Sequence, residues 1–571
     1  MLRTHTCGEL RKEHEGKKVV LCGWMHSLRE HGNVVFLDLR DRYGITQIVA
    51  SDTLKDRLQS LKRESVVRIA GTVVAKPEPN EKLETGNIEV QAQTLEVLGE
   101  ADTLPVDYQD PHITEESRLT YRYLDLRRPD MQHNIILKHK AALAAREFLD
   151  KEQFVEIETP MLMRHTPEGA RDYVVPSRIN QGLFYSLPQS PQIYKQILMV
   201  SGFDRYFQIA RCMRDENLRM DRQPEFTQID MEMSFVDEQD VFDVLERMHA
   251  HIFKHTLGID LKVPFERLTY KQAMDRYGSD KPDLRFGLEL VDVTDIMKET
   301  EVQAFKENKT VYCLNAKNCA EFSRKKIDKL NDIARTYHTK GVFWMKGITD
   351  GPLAKLLDEN TARALAKRCE AGEHDLLVVI ADDWQKATTA LGHLRNEIIK
   401  EKELQPTEPF KFAWIHDFPM FEWDEEEARW DAMHNPFSMP REEHLEYLEK
   451  DPSRVHAKQY DLTLNGVELG SGSVRNHKRE ILERVLKVMG HEFEEATKKF
   501  GFMLNAFRYG VPPHGGFAVG FDRLITLMCG HTDIREVIAF PKNKKAQGMM
   551  EGSPSEIDKK HLKELGLHLN N

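Results

Sequence analysis

The chain has 571 residues, of which 40% are hydrophobic and 30% charged, with a formal net charge of −12 at pH 7. This length indicates several domains, and no apolar run approaches the roughly 20 residues that span a bilayer. The N-terminus lacks the apolar segment of a signal peptide, so we expect a soluble, cytoplasmic protein. Seven cysteines without a CxxC pair exclude a disulfide framework and a zinc site of the usual spacing.

The N-terminal part predicts a small barrel. Five strand-like runs occur in order, and the helical "DTLKDRLQSL" follows the third of them. This order is typical of an OB-type barrel, a fold that commonly binds single-stranded nucleic acid. In "NVVFLDLRD", alternation points Val35, Leu37 and Leu39 inward and leaves Phe36 outside. An outward aromatic ring can stack on a base, and an incidental surface residue is the alternative.

A turn-rich acidic stretch, "GEADTLPVDYQDPHITEE", predicts a linker into a second domain. Apolar residues from Leu137 to Leu149 then recur at helical spacing, and the strand "FVEIETPML" follows. Pro160 lacks a backbone donor, so this strand is expected at an edge or an interface. A separate mixed segment opens at "YGSDKPDLR" and is interpreted as an inserted domain.

These changes in composition predict six segments along the chain. They are a barrel (1–105), a linker (106–118), the first part of a second domain (119–275), an inserted domain (276–405), the second part of the second domain (406–540) and a C-terminal extension (541–571).

The stretch "RYFQIARCMRDENLRMDRQPEFTQIDMEMSF" predicts two strands joined by a polar loop. Period two in the second strand separates two faces. The apolar face carries Thr227, Ile229, Met231, Met233 and Phe235, and the polar face carries Phe226, Gln228, Asp230, Glu232 and Ser234. A solvated strand face is the simplest interpretation of the polar set. Arg214, Glu216 and Phe226 together instead suit a nucleotide, since they offer a planar cation, an acceptor and a flat apolar ring.

Further downstream, "YDLTLNGVELGSGSVR" predicts a strand that turns at Asn465-Gly466. Such a turn would bring Asp461 near Glu468. Two carboxylates facing a phosphate site suit Mg²⁺, which prefers oxygen ligands and bridges phosphates.

Near the C-terminus, "GGFAVGFDRLITLMCG" predicts a glycine-rich strand that runs directly into a helix ending at Gly530. Arg523 falls in the first turn, where a cation opposes the helix dipole. A phosphate partner would explain that position, and an exposed arginine without a role is the alternative.

Two further residues are ambiguous from the sequence alone. An isolated histidine such as His434 in "DAMHNPF" is more simply a buried, hydrogen-bonded residue than a ligand. Glu168 in "TPEGARDY" is compatible with an ordinary loop acid, although the adjacent Gly169 and Ala170 favour a mobile flap.

The order of these motifs resembles the three motifs of class II aminoacyl-tRNA synthetases. The similarity covers nearly the whole chain. At the level of "TPEGARDY", "LPQSPQIYKQ", "RDE", "RQPEFTQID", "DFPMFE", "GSVR" and "GFDRL", the sequence resembles the bacterial-type aspartyl-tRNA synthetases within that class.

This resemblance implies an α+β enzyme with an OB-type barrel, an antiparallel-sheet catalytic domain flanked by helices, and an inserted α+β domain. It implies activation of L-aspartate with ATP and Mg²⁺, followed by transfer to tRNA(Asp), with tRNA(Asn) as an open second acceptor. It also implies a homodimer, in which the edge strand ending at Pro160 lies at the interface.

The resemblance assigns most site residues by matching motif positions. Arg214, Glu216 and Arg523 are the implied catalytic residues. The implied ATP contacts are Arg214, Asp215, Glu216, Gln223, Phe226, Glu468, Gly520, Phe521, Asp522 and Arg523, and the implied magnesium carboxylates are Asp461 and Glu468. The implied aspartate contacts are Glu168, Gln192, Lys195, Arg214, Asp230, His434 and Arg475.

In the barrel, the resemblance assigns anticodon contacts to Arg29, Phe36, Gln47 and Glu89. The sequence departs from the family pattern at Val74, where a basic residue can occur. His31, after "LRE", resembles the branch that charges both tRNA(Asp) and tRNA(Asn). Two alternatives stay open: a catalytically inactive relative that binds RNA or a regulatory partner, and an asparaginyl or lysyl enzyme of the same subgroup.

Overall fold

The computed structural model describes residues 1–32, 34–166, 169–490 and 493–569. These residues form two compact units. The first contains 1–136 and 535–555, and the second contains 137–534 and 556–571. Among the described residues, no helix combines the length and apolarity needed to cross a membrane. The six segment limits drawn from the sequence stay predictions.

The first unit begins with a closed barrel whose strand order is β1-β2-β3-β5-β4. Its strands are Lys18–His31 (β1), Val34–Asp41 (β2), Gly44–Ala50 (β3), Val66–Ala75 (β4) and Ile88–Gly99 (β5), and the helix Asp52–Ser60 (α1) follows β3. Val35, Leu37 and Leu39 are fully buried in the barrel core. The predicted OB-type barrel and its inward set are therefore confirmed.

Short helices follow the barrel in the same unit: Glu115–Thr120 (α2), Arg122–Asp125 (α3) and the beginning of Pro129–Lys151 (α4). The helix predicted from Leu137 to Leu149 is α4, which continues into the second unit. Arg122 is buried and donates to the backbone carbonyls of Arg535, Ile538 and Ala539. This guanidinium ties the late segment 535–555 to the helices of the first unit.

The main sheet of the second unit has the order β11-β16-β19-β20-β21-β10-β9-β6. Its strands are Val155–Glu156 (β6), Arg205–Met213 (β9), Glu225–Ser234 (β10), Glu266–Thr269 (β11), Phe412–His416 (β16), Gln459–Leu464 (β19), Val467–Val474 (β20) and His514–Gly520 (β21). The β6–β9 and β11–β16 pairs are parallel, and the pairs between them are antiparallel. Two small hairpins pair Val174–Pro176 (β7) with Phe184–Ser186 (β8) and Phe421–Asp424 (β17) with Arg429–Ala432 (β18).

Helices accompany these sheets in the second unit. They are Gln192–Val200 (α5), Glu238–Leu257 (α6), Tyr270–Tyr277 (α7), Thr294–Lys298 (α8), Gln303–Glu307 (α9), Arg324–Thr336 (α10), Glu359–Arg368 (α11), Trp384–Glu401 (α12), Arg479–Val488 (α13), Phe493–Phe507 (α14), Phe521–Met528 (α15) and Lys559–Glu564 (α16).

The predicted insertion contains its own antiparallel sheet, with order β12-β13-β15-β14. The strands are Leu290–Asp292 (β12), Thr310–Ala316 (β13), Phe343–Lys346 (β14) and Leu376–Asp382 (β15). Alternate residues of β13 and β15 pack on opposite faces. Leu314 and Val378 join the core formed with α10 and α12, whereas Cys313 and Val379 join the core with α8, α9 and α11. Covering helices on both faces explain why these strands read as continuous apolar runs.

The central pair β9–β10 confirms the two predicted strands. β10 lies between β9 and β21, and both of its faces are largely buried. The predicted apolar set is wrong only at Phe235, which lies after the strand with φ +60° and is 73% exposed. Its amide donates to the carbonyl oxygen of Pro513, so the backbone has already turned away from the sheet.

The strand predicted over "FVEIETPML" is much shorter than expected. It covers only Val155–Glu156, at the sheet edge beside β9. Ile157 still donates to the carbonyl oxygen of Phe207, and the chain then leaves the sheet before Pro160. The edge position is confirmed, whereas the extension to Pro160 is wrong because the chain stops pairing upstream of the proline.

Candidate functional site

A cavity of about 410 Å³ opens over β10, β20 and β21 in the second unit. It brings together most of the residues assigned to ATP and aspartate. Those that line it are Gln192, Lys195, Arg214, Glu216, Gln223, Phe226, Asp230, His434, Glu468, Arg475, Gly520, Asp522 and Arg523. Residues more than 300 positions apart in the chain therefore share one pocket, because the strands that carry them are neighbours in the sheet.

One end of the cavity presents a cation above an aromatic ring. The Arg214 guanidinium carbon lies 5.1 Å from the centroid of Phe226. Its Nε donates weakly, at 3.4 Å, to the carbonyl oxygen of Gln189. Glu216 pairs with Arg222 at 3.0 Å. A flat ring, a guanidinium and a carboxylate thus occur together, which suits a purine and its phosphates.

Arg523 lies in the first turn of α15, which begins directly after β21. Its Nη1 donates to the carbonyl oxygen of Glu468 at 2.5 Å, and its Nη2 lies 3.3 Å from Asp221. These contacts hold the guanidinium at the cavity wall despite its unfavourable position relative to the helix dipole.

Neighbouring Asp522 lines the cavity, but its carboxylate is already engaged. Oδ2 accepts from the backbone amide of Thr227 at 2.7 Å, and Oδ1 pairs with Lys138. Asp522 therefore fastens α15 to β10 and α4, so its proximity to the cavity does not require a contact with ligand.

The hairpin β19–β20 turns at Asn465-Gly466, as predicted, with φ +54° and +79°. These values fit a type I′ turn. An irregularity in the register follows Leu462, and Asp461 and Glu468 interact across the hairpin. Burial and the neighbouring Glu468 raise the pKa of Asp461 well above its usual range. Among the described residues, no cluster of three or more His, Cys, Asp or Glu side chains could hold a metal.

The other end of the cavity contains a buried network of four charges. Lys195 Nζ lies 2.8 Å from Asp230 Oδ1 and 3.2 Å from Glu232 Oε2. Arg475 forms a two-pronged pair with Glu232, at 2.9 and 3.0 Å, and donates to Ser473 Oγ at 2.7 Å. Two cations and two anions therefore share a site almost closed to water.

At this end of the cavity two buried polar atoms lack a partner among the described residues: Asp230 Oδ2 and Gln192 Nε2. Burial raises the pKa of Asp230, against the opposing influence of Lys195. Glu232 behaves differently, since Arg475 and Lys195 overcome the effect of its burial and lower its pKa to about 2. An unsatisfied acceptor and an unsatisfied donor in one pocket indicate a ligand with an ammonium and an oxygen acceptor.

Glu232 was missed as a site residue by the sequence reasoning. The available signal was that Glu232 follows Asp230 by two positions and so shares the polar face of β10. What the sequence could not supply was the partner, because Arg475 lies 243 positions later and reaches Glu232 only through the order β20-β21-β10.

His434 lies at the cavity with an exposed side chain, and its ring meets Phe418 edge-on with centroids 4.7 Å apart. By solvent exposure the simpler expectation of a buried histidine is wrong, although the surrounding protein desolvates the imidazole and lowers its pKa. Glu168 lies outside the described residues. Among the described residues that line the cavity, three assigned residues are missing: Asp215, Phe521 and Asp461. Phe521 and Asp461 are buried.

The residues assigned to the anticodon form one continuous patch on the barrel, because Asp38, the partner of Arg29, lies opposite Gln47 in the β2–β3 register. Arg29 and Phe36 face each other in the β1–β2 register, and Arg29 pairs with Asp38 at 3.0 Å. Gln47 donates to Glu89 at 2.8 Å. Lys76 donates to Gln47 at 3.0 Å and supplies a basic group two residues after Val74. His31 is exposed at the end of β1.

Comparison with protein families gives two matches. Residues 114–544 match the model of "tRNA synthetases class II (D, K and N)". Residues 19–98 match the OB-fold nucleic acid binding domain.

Curated relatives align over essentially their full length. The aspartate–tRNA(Asp/Asn) ligase of Caldanaerobacter subterraneus subsp. tengcongensis is 50% identical, over 99% of this chain and 98% of that protein. The ligase of the same name from Desulfatibacillum aliphaticivorans is 49% identical, over 100% and 98%. The aspartate–tRNA ligase of Ruminiclostridium cellulolyticum is 47% identical, over 99% and 98%.

Solved structures show the same fold at low identity. The asparaginyl-tRNA synthetase of Pyrococcus horikoshii, in complex with asparaginyl-adenylate, has a TM-score of 0.61 at 20% identity, covering 95% of this chain and 98% of that one. The aspartyl tRNA synthetase of Entamoeba histolytica has a TM-score of 0.58 at 21% identity, covering 94% and 91%. With a family model matched over most of its length and relatives near 50% identity, the chain belongs to the class II tRNA synthetases (D, K and N).

Proposed function

We propose that this protein is an aspartate–tRNA ligase, which activates L-aspartate with ATP and transfers it to tRNA(Asp). One observation carries the proposal: the buried network of Lys195, Asp230, Glu232 and Arg475 adjoins Arg214, Phe226 and Arg523 in one cavity. An amino-acid site beside a phosphate site is the arrangement that adenylate formation needs. The names of the close relatives support the same activity.

The chemistry of the amino-acid end favours aspartate. Asp230 Oδ2 is suited to accept from the substrate ammonium, and Gln192 Nε2 is suited to donate to a substrate oxygen. Lys195 and Arg475 would meet the side-chain carboxylate. Asparagine brings a neutral amide to the same place, which leaves buried cations poorly compensated and is therefore disfavoured.

The reaction would proceed by attack of the aspartate α-carboxylate oxygen on the α-phosphorus of ATP. A carboxylate–phosphorus bond forms as the bond to pyrophosphate breaks. Arg214 would neutralise charge near the α-phosphate and Arg523 near the terminal phosphate, so that catalysis rests on positioning and electrostatics. The 3′-terminal ribose hydroxyl of tRNA would then attack the activated carbonyl carbon and release AMP.

The remaining assigned residues fit a nucleotide bound along the same wall. Phe226 would stack on adenine, with Glu216, Gln223 and the start of α15 at Gly520 around it. Asp461 and Glu468 would hold Mg²⁺ beside the phosphates of ATP, where the cation would supply positive charge to a pair in which burial and the neighbouring Glu468 raise the pKa of Asp461. Two carboxylates alone suit a cation that is also bound by the phosphates of ATP, rather than a metal held by the protein without nucleotide.

The direct test is aspartate-dependent exchange of radioactive pyrophosphate into ATP. We expect exchange with aspartate and little with asparagine or lysine. No exchange with any amino acid would favour the catalytically inactive RNA-binding relative, and exchange driven by asparagine or lysine would favour an enzyme of that specificity.

The choice of tRNA requires a separate measurement. Charging of purified tRNA(Asp) and tRNA(Asn) would decide whether His31 marks an enzyme that accepts both. The names of the relatives include both the single and the double specificity. A cytoplasmic location stays a prediction.

Replacing Phe36 by alanine is expected to weaken tRNA binding alone. Loss of one base–aromatic stack, about 1–3 kcal/mol, would raise KM for tRNA roughly 5- to 150-fold. Pyrophosphate exchange should stay near wild type. Tyr43→Ala, which removes an exposed aromatic of the barrel where Phe36 is half-buried, is the control. A lower Tm with an unchanged KM for tRNA would assign Phe36 to the barrel's packing.

We also propose a homodimer formed at the open edge of β6. Val155 is 46% exposed there, beside the exposed Met161 and Leu162. Sedimentation should give twice the chain mass of 66.3 kDa. Val155→Lys should favour the monomer, whereas Leu98→Lys on the barrel should not. A fully active wild-type monomer at micromolar concentration would contradict the proposal.

A further inference from the structure

The first turn of α5 carries two residues of the amino-acid end, Gln192 and Lys195. The helix begins at Gln192 after Pro191, and Pro191 provides no side-chain cap. The orientation of this turn decides where the Gln192 carboxamide and the Lys195 ammonium lie. Contacts that hold the turn in place therefore bear directly on substrate binding.

Gln196, one turn further along α5, makes such a contact. Its side chain is buried, with 1% of the residue exposed, and does not line the cavity. Gln196 Nε2 donates to the backbone carbonyl oxygen of Gln192 at 3.3 Å. Its Oε1 lies 3.3 Å from Nε2 of His514. One carboxamide thus bridges the beginning of α5 to the first residue of β21.

His514 is fully buried and is held on its other side as well. Its Nδ1 lies 2.8 Å from the carbonyl oxygen of Pro512, which can only accept, so Nδ1 carries the hydrogen. The backbone carbonyl of His514 accepts from the amide of Arg475 at 2.8 Å. The same residue therefore contacts the elements that present Lys195 and Arg475, the two cations of the amino-acid end.

The ring faces an acceptor at each nitrogen in this arrangement. Donating at both would require a positive charge, but burial lowers the pKa of His514 to about 4 against the opposing influence of Glu232, so the neutral ring donates from one nitrogen only. A neutral side chain at position 514 with an N–H group could donate to Gln196 Oε1 without carrying a charge. This difference allows hydrogen bonding to be separated from charge by substitution.

We propose that Gln196 and His514 are positioning residues that set the affinity for aspartate by fixing the first turn of α5 relative to Arg475. The proposal rests on the proposed aspartate activation. Neither residue lines the cavity, so each acts through Gln192, Lys195 or Arg475 rather than on the substrate itself.

The experiment measures pyrophosphate exchange with aspartate and ATP varied separately. Gln196→Met keeps the approximate length and removes both contacts, and should raise KM for aspartate about tenfold, with KM for ATP within twofold of wild type. Loss of buried hydrogen bonds worth about 1.4 kcal/mol corresponds to that factor. Thr388→Val removes a buried hydrogen bond in the insertion, and this control should lower Tm without changing either KM.

Two substitutions of His514 refine the test. In His514→Gln the amide nitrogen can take the place of Nε2 and donate to Gln196 Oε1 without a charge, so the contact is kept and KM for aspartate should not rise above wild type. In His514→Asn the nitrogen takes the place of Nδ1 and loses Gln196, so KM for aspartate should rise as in Gln196→Met. Equal effects of the two variants would overturn the role of the Gln196 contact.

Other results would also overturn the proposal. An unchanged aspartate KM in Gln196→Met, with only a lower Tm, would make the bridge purely structural. A parallel rise in KM for ATP would indicate general damage to the cavity. If the wild-type protein showed no aspartate-dependent exchange, the proposed function itself would fail, and the protection of each variant against heating by aspartate alone would still test whether the bridge governs aspartate binding.

Discussion

Replacing Arg214 by alanine is expected to reduce adenylate formation by at least about 1,000-fold while leaving the protein folded. Loss of a preorganised charge at a transferring phosphoryl group typically costs a factor of 10³ or more. The Arg214 guanidinium lies over Phe226 and makes one long hydrogen bond among the described residues. Truncation therefore removes little packing, and Tm should change by only a few degrees.

Arg523→Ala should have a comparable effect on exchange, because its guanidinium is held at the cavity wall by the Glu468 carbonyl and Asp221. Lysine at either position keeps the charge but loses the planar fork, and should restore only part of the rate. Arg211→Ala is the matched control for Arg214→Ala. Arg211 lies on the β9–β10 hairpin three residues before Arg214, is exposed, and pairs with Glu225 at 2.7 Å. Normal exchange in Arg214→Ala or Arg523→Ala would reject the phosphate assignment.

Local sequence patterns predicted most of the fold. The barrel, the β9–β10 pair, the turn at Asn465-Gly466 and the strand–helix junction at Gly520 each depend on alternation or turn residues within about 20 positions. The failures occurred where the outcome depends on distant partners. The edge strand ended at Glu156 because pairing with β9 stopped there, and Phe235 left the strand because its amide bonded to Pro513.

The candidate site was predictable in a different way. Periodicity identified the polar face of β10, and the family motifs supplied residues such as Lys195 and Arg475. Neither indicated that Glu232 would pair with two nitrogens of Arg475, or that Gln196 of α5 would meet His514 at the beginning of β21. These contacts arise from the order of strands that are far apart in sequence. Asp522 shows the converse, since a motif residue assigned to ATP lines the cavity and also anchors the helix, which the motif did not indicate.

Replacing Arg475 by methionine is expected to destabilise the protein by about 3–5 kcal/mol and to eliminate aspartate activation. The substitution leaves Glu232 fully buried with Lys195 as its remaining cationic partner, and an uncompensated buried charge carries a penalty of that size. The double variant Glu232→Met/Arg475→Met removes both charges and retains the Lys195–Asp230 pair. It should recover most of the stability and none of the activity.

The dependence on pH gives this prediction a second readout. In the wild type, the pKa of Glu232 is lowered to about 2, so its contribution to stability is complete above the unfolded value of about 4.3 and is lost as the pH falls toward 2. Without Arg475, burial should raise that pKa above the unfolded value. The penalty of Arg475→Met should then grow as the pH rises from about 4.5 to 8, and that of the double variant should not.

Urea unfolding of the four proteins of this cycle, at several pH values, measures both effects. Lys254→Met breaks an exposed pair with Asp260 on the same unit and should cost no more than about 1 kcal/mol, without a comparable pH dependence. A penalty for Arg475→Met as small as that of this control would mean that Glu232 is not held as a buried carboxylate. The network would then be too well hydrated to distinguish aspartate from asparagine by charge, since screened cations tolerate a neutral amide.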